Sequence, residues 1–279
     1  MAAVAVELDE DHPGHADPAY RERRAAIAAV GHRYAAGQPI PDVTYTAEED
    51  EVWRIVSTEL SEKHRRLACA EVVRAAARLV LPVGRVPQLR EVDARVCELT
   101  GFHFRPVAGL VPAPEFYAAL ADRTFLSTQY IRHHSTPRYT PEPDVVHEIV
   151  GHATMLSSPV FASLYEKAGR ASLRTTGPAA RDFFSRVFWF TLEFGVVREA
   201  GESRAYGAGL LSSFGEIDAF RDAELRPWDI GAMGTTQYDI SHYQPVLYEA
   251  PSFDEMVGAL GAFFDGYSDR WHHDLQERR

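Results

Sequence analysis

Two imidazoles and one carboxylate stand out in this chain as a possible metal-ligand set. His147 and His152 frame the short run His-Glu-Ile-Val-Gly-His, and Glu193 follows farther along in a strongly apolar segment. Two histidines and one carboxylate form the facial triad that holds Fe(II) on one side and leaves positions open for oxygen chemistry. A carboxylate in an apolar segment is costly to desolvate unless it is paired or binds a metal.

The spacing of the two histidines indicates which kinds of metal site are compatible with this run. A zinc protease places its histidines four residues apart, so that both imidazoles share one helix face. A spacing of five separates them by ~140° on a regular helix, which disfavours the protease. Gly151 could end the helix and let His152 turn back, so a metal site needs a distorted helix end. Two alternatives stay open: ordinary half-buried histidines, and a Glu193 paired with a buried arginine.

The composition bounds the class of protein. With 279 residues, of which 46% are hydrophobic, the chain can bury a sizeable core in one large domain. A formal charge of −11 argues against a nucleic-acid partner. No apolar run reaches the length of a membrane span, and the start of the chain lacks the basic region of a signal peptide.

The two cysteines indicate a reducing compartment. Cys69 and Cys97 are too few for a disulfide framework, and each falls in a helix-like apolar pattern. We expect inert buried thiols and a cytoplasmic protein.

Helical patterns dominate the chain. Asp17 and Pro18 are predicted to cap and begin a helix that runs to about Tyr34. Thr46 and Glu49 have the spacing of a capping box. Further helices are expected at about 68–80, 88–99, 158–173 and 179–199, and a final helix is expected to begin at Ser252. Loops and short strands are expected near 103–110 and 124–131. The predicted fold class is mainly α with a small β component.

Six longer runs resemble the catalytic domain of the pterin-dependent aromatic amino acid hydroxylases, most closely the bacterial single-domain phenylalanine hydroxylases. The runs are Gly101–Leu110, Ser127–His133, Tyr139–His152, Trp189–Gly195, Ala205–Glu216 and Tyr243–Pro245, in family order. The resemblance implies one catalytic domain over 43–279, a helical basket around a non-haem iron site. Residues 1–42 would be a polar segment, mobile over 1–15, then a helix and a linker. The chain would be a monomer without a regulatory domain.

The resemblance also implies roles for particular residues. The iron ligands would be His147, His152 and Glu193. The reduced pterin, a tetrahydropterin, would bind beside Phe125, Leu120 and Glu148. The amino acid substrate would contact Arg132, Asp144, Thr140, Trp189, Ser212 and Ile240, with Asp144 orienting Arg132. Glu148 and Glu216 would support catalysis, and Glu216 would orient an iron-ligating histidine.

Several of these residues have plainer interpretations. Phe125 could be a core side chain, and Glu148 a solvated glutamate on a helix face. Arg132 and Asp144 could form an ordinary structural salt bridge.

The implied reaction is hydroxylation of L-phenylalanine to L-tyrosine with O2, tetrahydropterin and Fe(II), through an Fe(IV)=O species. Trp189 speaks against tryptophan as substrate and Ile240 against tyrosine, since family members with those substrates carry other residues there. The run Ala153-Thr-Met155 departs from the family's usual Val-Pro-Leu and could alter the pocket floor. The alternatives are therefore phenylalanine 3-hydroxylation, which gives meta-tyrosine, and tryptophan 5-hydroxylation. A zinc hydrolase and a non-catalytic binding protein are the alternatives from other classes.

Overall fold

The computed structural model describes residues 8, 10, 12–240 and 242–277. The predicted mobility at the start of the chain concerns residues that lie largely outside this part. No helix within the described part combines the length and the apolar composition that a membrane span requires.

Four helices form the first third of the described chain. They are α1 (Pro18–Arg33), α2 (Ala47–Leu67), α3 (Ala70–Leu79) and α4 (Leu89–Thr100). The predicted caps are confirmed: Asp17 accepts hydrogen bonds from two backbone N–H groups of α1, and Thr46 and Glu49 complete a capping box. These side chains satisfy N–H groups that the first helical turn leaves without partners.

A short parallel pair of strands and a helix precede the histidine run. The elements are β1 (His103–Pro106), α5 (Ala113–Ala121) and β2 (Thr124–Ser127). Helix α5 packs closely against α7 (Pro159–Leu173) at Gly169, where an added Cβ would lie 2.1 Å from the backbone nitrogen of Ala121. Glycine is therefore required where the two helices touch.

Two π-helical segments interrupt the helices near the candidate ligands. The first spans His147–Ala153 and continues into the short helix α6 (Thr154–Leu156), and the second, Trp189–Glu193, extends α8 (Pro178–Phe188). The predicted helix over 179–199 therefore ends early. A strand, β3 (Val196–Glu199), occupies its last residues.

A mixed four-stranded sheet and short helices make up the rest. Its strands lie in the order β4 (Glu202–Ala205), β3, β6 (Val246–Ala250) and β5 (Glu224–Pro227), with β3 and β4 antiparallel and the other pairs parallel. The helices are α9 (Ala208–Ser212), α10 (Glu216–Ala219), α11 (Ile230–Met233), α12 (Phe253–Gly266) and α13 (Asp269–Glu277). Ser252 caps α12 as expected, although α12 is followed by α13. The mainly helical fold class is confirmed.

Candidate active site

The first π-helical segment brings the two histidines together. Its wider i→i+5 turn places residues five apart on one side of the helix. Nε2 of His147 and Nε2 of His152 lie 2.9 Å apart. Two nitrogens bound at about 2.1 Å to neighbouring positions of one metal ion would be about 3.0 Å apart. The five-residue spacing of the histidines required a distorted helix, and the π-helical turn is that distortion. The helix nevertheless continues past His152 instead of ending there.

Gly151 serves close packing at this point. A Cβ on Gly151 would lie 2.7 Å from the carbonyl oxygen of Ala208, in α9. The expectation that Gly151 ends the helix is therefore wrong, because glycine is needed here for the approach of α9. Through this contact, α9 holds the π-helical segment from behind.

Glu193 completes the set from the second π-helical segment. The backbone N–H of Phe194 donates to the carbonyl of Trp189, which closes an i→i+5 turn around Glu193. The carboxylate oxygens of Glu193 lie 3.3 Å from Nε2 of His152 and 3.9 Å from Nε2 of His147. Three donor atoms from two segments therefore surround one point.

Glu148 is a second carboxylate close to the histidines. Its carboxylate and the two imidazoles offer ligand atoms within 4.8 Å of one another. Oε1 of Glu148 already accepts two hydrogen bonds from Thr128, one from its backbone N–H at 3.2 Å and one from its hydroxyl at 3.0 Å. Glu193 is the better third ligand on this geometry, because its oxygens approach both Nε2 atoms.

Hydroxyl groups orient both imidazoles. Nδ1 of His147 lies 2.8 Å from Oγ of Ser212, which itself donates to the carbonyl of Ala208. Nδ1 of His152 lies 2.8 Å from the hydroxyl of Tyr165, which donates to the sulfur of Met155. Since both hydroxyl protons are engaged elsewhere, these contacts favour the tautomer in which Nδ1 carries the proton and Nε2 presents a lone pair.

Burial favours the neutral form of the groups at this point. It lowers the pKa of His147 to about 4 and holds the pKa of His152 well below its ordinary value. Burial, with a smaller contribution from the nearby Glu148, raises the pKa of Glu193 to about 8. It also raises the pKa of Glu148 to about 8. Neutral imidazoles are the form that binds a metal ion, and a bound cation would favour ionised carboxylates.

Glu216 has a different role from the one expected. Within the described part of the chain, no hydrogen bond joins it to His147 or His152. It accepts a 2.7 Å hydrogen bond from the backbone N–H of Gln244. Ser212, which was expected to bind substrate, lines the main cavity and also orients His147.

The three candidate ligands lie where two cavities meet. The main cavity, of about 420 Å³, contains Arg132, Thr140 and Trp189 in its wall. The second cavity, of about 230 Å³, contains Glu148 and Phe125. His147 and Glu193 line both cavities. A metal ion held by these residues would therefore face two separate bound molecules.

A buried ion pair forms one end of the main cavity. Arg132 donates to both oxygens of Asp144, from Nε at 2.9 Å and from Nη2 at 2.8 Å. Although burial opposes ionisation of Asp144, its charged and hydrogen-bonded contacts with Arg132 lower its pKa overall. Nη1 of Arg132 has no hydrogen-bond partner among the described residues. Thr140 also lines this cavity and donates to the carbonyl of Glu142.

Aromatic rings form the opposite wall of the main cavity. Trp189 stacks on Tyr238, with ring centroids 4.2 Å apart, and packs against Phe194 at 4.5 Å. Its indole N–H donates to Oε1 of Gln244. Ile240 lies at the rim, where 72% of its surface is exposed. The indole of Trp189 is thus held in one orientation, whereas Ile240 stands at the entrance.

The second cavity has an aromatic that the sequence did not suggest. Phe116 is half-buried and lines both cavities. Phe125 is only 1% exposed and packs against the ring of His152 at 4.5 Å. A ring that stacks on a ligand needs an open face, so Phe116 suits that role better. Leu120, expected beside the pterin, is fully buried where α5 meets α7 and lines neither cavity.

Comparison with known proteins identifies the family. The family model described as biopterin-dependent aromatic amino acid hydroxylase matches residues 1–272. The chain belongs to this family. It is 48% identical over 258 residues to a phenylalanine 3-hydroxylase of Streptomyces coeruleorubidus, covering 92% of each chain.

More distant relatives share the same domain. The hydroxylase is 44% identical to a phenylalanine-4-hydroxylase of Caenorhabditis elegans, covering 91% of this chain but only 56% of that protein. It is also similar to a crystal structure of Chromobacterium violaceum phenylalanine hydroxylase with bound iron(III) and 7,8-dihydrobiopterin. That likeness has a TM-score of 0.77 at 27% identity and covers 88% of this chain and 93% of that one.

The run Ala153-Thr-Met155, which departs from the family's usual Val-Pro-Leu, lies behind the candidate metal site. All three residues are buried and line neither cavity. The expectation that they alter the pocket floor is therefore wrong. Met155 instead accepts the hydroxyl proton of Tyr165, whose oxygen faces Nδ1 of His152. Through Met155, the run contacts the tyrosine that faces a candidate ligand.

Proposed function

We propose that this protein hydroxylates the aromatic ring of L-phenylalanine with O2, a tetrahydropterin and a non-haem Fe(II). The observation that carries the proposal is the position of His147, His152 and Glu193 at the junction of two cavities. A hydroxylase of this kind must bring an amino acid and a pterin to one iron ion, and each cavity supplies one of the two binding places.

His147, His152 and Glu193 would hold the iron. The fit rests on the donor set: two Nε2 lone pairs and a carboxylate meet at one point, and both Nδ1 atoms are already engaged. Two imidazoles and one carboxylate suit Fe(II) and leave positions open. The iron and the pterin supply the oxygen chemistry, in which the pterin gives two electrons and one oxygen atom enters the ring.

The main cavity would bind the amino acid. Nε and Nη2 of Arg132 are engaged by Asp144, so Nη1 is the nitrogen available to donate a charge-assisted hydrogen bond to the substrate carboxylate. Asp144 keeps Arg132 fixed and neutralised before the substrate arrives. Trp189 and Phe194 would pack against the aromatic ring and restrict its size. These residues act by orienting the ring and excluding water, and no protein nucleophile is needed.

The second cavity would bind the pterin. Phe116 offers the aromatic surface for stacking, and Glu148 offers a carboxyl group for the polar edge of the ring system. Phe125 would support this site from below by fixing the ring of His152. Thr128 in turn holds Glu148 in place through its two hydrogen bonds.

For the position of attack on the ring, we favour the meta carbon. The support is the 48% identity to the Streptomyces phenylalanine 3-hydroxylase, with nearly full coverage of both chains. Attack at the para carbon is the second candidate, supported by the relative named as a phenylalanine-4-hydroxylase. A change of attack position needs only a small shift of the ring, which Trp189 and the orientation of His152 would control.

Product identification tests the proposal. Purified protein is loaded with Fe(II) without oxygen, then given tetrahydropterin, O2 and equal amounts of phenylalanine, tyrosine and tryptophan. Products are separated against standards of meta-tyrosine, para-tyrosine and 5-hydroxytryptophan, with reactions lacking iron or pterin as controls. Formation of meta-tyrosine that requires both iron and pterin supports the proposal. para-Tyrosine as the product would support ring hydroxylation of phenylalanine but overturn the proposed attack at the meta carbon. No hydroxylated product from phenylalanine overturns the proposed function.

A further inference from the structure

A third cavity adjoins the candidate active site. This side chamber, of about 330 Å³, lies between α5 and α8 and includes Pro114, Leu173, Thr176, Asp182 and Ser185 in its wall. Several of these residues are exposed, and Leu173 is 61% exposed. Because its rim is exposed and carries hydroxyl and charged groups, the chamber is open to water.

Tyr117 separates the side chamber from the two inner cavities. Among the described residues it alone lines all three, while Ser185 is shared by the chamber and the main cavity and Ala113 by the chamber and the second cavity. Its ring makes edge-to-face contacts with Phe184 at 4.9 Å and with Phe188 at 5.1 Å. Phe184 lies on the chamber side and Phe188 on the main-cavity side. The tyrosine ring therefore forms a large part of the wall between a solvent-exposed space and the place where the substrate ring would lie.

The ring of Tyr117 makes this wall, and its hydroxyl contributes little. The hydroxyl lies 3.5 Å from Oγ of Ser185, at the outer limit of a hydrogen bond. The ring is packed by three phenylalanine rings, since Phe116 also contacts it edge to face at 5.5 Å. A flat ring of this size fills the gap between α5 and α8, whereas a branched aliphatic side chain would leave part of it open.

We propose that Tyr117 is a positioning residue that seals the iron site from the side chamber and keeps oxygen use coupled to ring hydroxylation. The inference rests on the proposed function. Water that enters the site weakens the interactions that hold the reacting groups and permits side reactions. In one such side reaction, tetrahydropterin passes two electrons and two protons to O2, giving oxidised pterin and hydrogen peroxide. No oxygen atom then reaches the amino acid.

The test compares Tyr117→Leu, which opens the wall, with Tyr117→Phe, which keeps the ring and removes only the hydroxyl. Tyr117→Met replaces the leucine variant if that variant does not fold. Two quantities are measured: hydroxylated amino acid formed per pterin oxidised, and the relaxation rate of solvent protons with Mn(II) in the metal site. We expect the leucine variant to lose coupling at least about twofold, form hydrogen peroxide and relax solvent protons faster. The phenylalanine variant should resemble the wild type in both.

The outcomes separate this inference from the proposed function. If the wild type forms product but the leucine variant is equally coupled, the inference is overturned and the proposed function stands. Faster relaxation with unchanged coupling also overturns the inference. If the wild type hydroxylates no amino acid, the proposed function fails, and solvent relaxation still reports whether Tyr117 excludes water. Loss of coupling in Tyr117→Phe as well would overturn the role given to the ring.

Discussion

The hydroxyl of Ser212 lies 2.8 Å from Nδ1 of His147 and donates its own proton to the carbonyl of Ala208. This arrangement fixes both the orientation of the imidazole and the position of its proton. It connects α9 to the first π-helical segment at His147, the first of the candidate ligands.

Ser212→Ala should weaken metal binding by about 10–100-fold, because partners that orient a ligand histidine contribute about that much. Ser157→Ala is a matched control, since Ser157 is also buried and its hydroxyl also donates four residues back, to Ala153. Fe(II) affinity is measured by anaerobic titration. Equal affinities of the two variants would contradict the role of Ser212.

Gly151→Ala should destabilise the protein by about 1–3 kcal/mol, because its Cβ would press on the backbone of Ala208. Gly258→Ala is the control: Gly258 also lies in a helix, and a Cβ there meets nothing within 4 Å. That change should be neutral or stabilise by up to about 1 kcal/mol. Urea denaturation measures both free energies of unfolding. A Gly151→Ala variant as stable as the control would show that the close approach is not required.

Trp189→Phe should raise the ratio of kcat/KM for tryptophan over that for phenylalanine at least about tenfold. The smaller ring enlarges the space beside the wall formed with Tyr238 and Phe194. Trp228→Phe is the control, because Trp228 lies outside the main cavity. Both ratios come from competition assays. An unchanged ratio in the Trp189 variant would remove it as the residue that selects the substrate.

Glu216 should make stability depend on pH. Burial raises its pKa from 4.5 to about 7, against the opposing hydrogen bond from Gln244. The folded protein thus holds this proton when the unfolded chain has lost it, and the contribution to stability falls as pH rises between those values. Relative to the Glu216→Gln variant, the free energy of unfolding of the wild type should fall by up to about 3 kcal/mol over this pH range.

Urea denaturation from about pH 4.5 to about pH 8 measures this difference in steps. The amide oxygen introduced by Glu216→Gln can still accept the hydrogen bond from the Gln244 N–H. The substitution therefore removes the ionisable group and leaves the hydrogen bond largely in place. A difference in stability between wild type and variant that is constant with pH would contradict the assignment to Glu216.

The sequence predicts local features of this fold well. Helix caps at Asp17, Thr46 and Ser252 depend on neighbouring residues alone, and all three occur where expected. The proximity of His147, His152 and Glu193 also follows the sequence prediction. The π-helical turns do not, because the wider turn depends on packing against α9 and on Gly151.

The sequence does not determine which side chains of the short helices face the cavities and which face the core. Ser212, and not Glu216, contacts His147, because Ser212 is the last residue of α9 whereas Glu216 begins α10 four residues later. Phe116 was missed and Leu120 chosen because α5 was not predicted, and the helix turns one residue to the cavity and the other to the core. The half-buried position of Phe116 has no signal in its neighbouring residues. The domain boundary at residue 42, the monomeric state and the cytoplasmic location stay predictions.

The most direct test of the metal site compares Glu193→Gln with Glu148→Gln. Both carboxylates are close to the two imidazoles and both have their pKa raised by burial, so the variants are matched in chemistry. Anaerobic Fe(II) titration of each protein gives the affinity. We predict that Glu193→Gln lowers the affinity at least about 100-fold, while Glu148→Gln changes it only a few fold and affects pterin binding instead. Loss of iron in Glu148→Gln with retention in Glu193→Gln would contradict the triad.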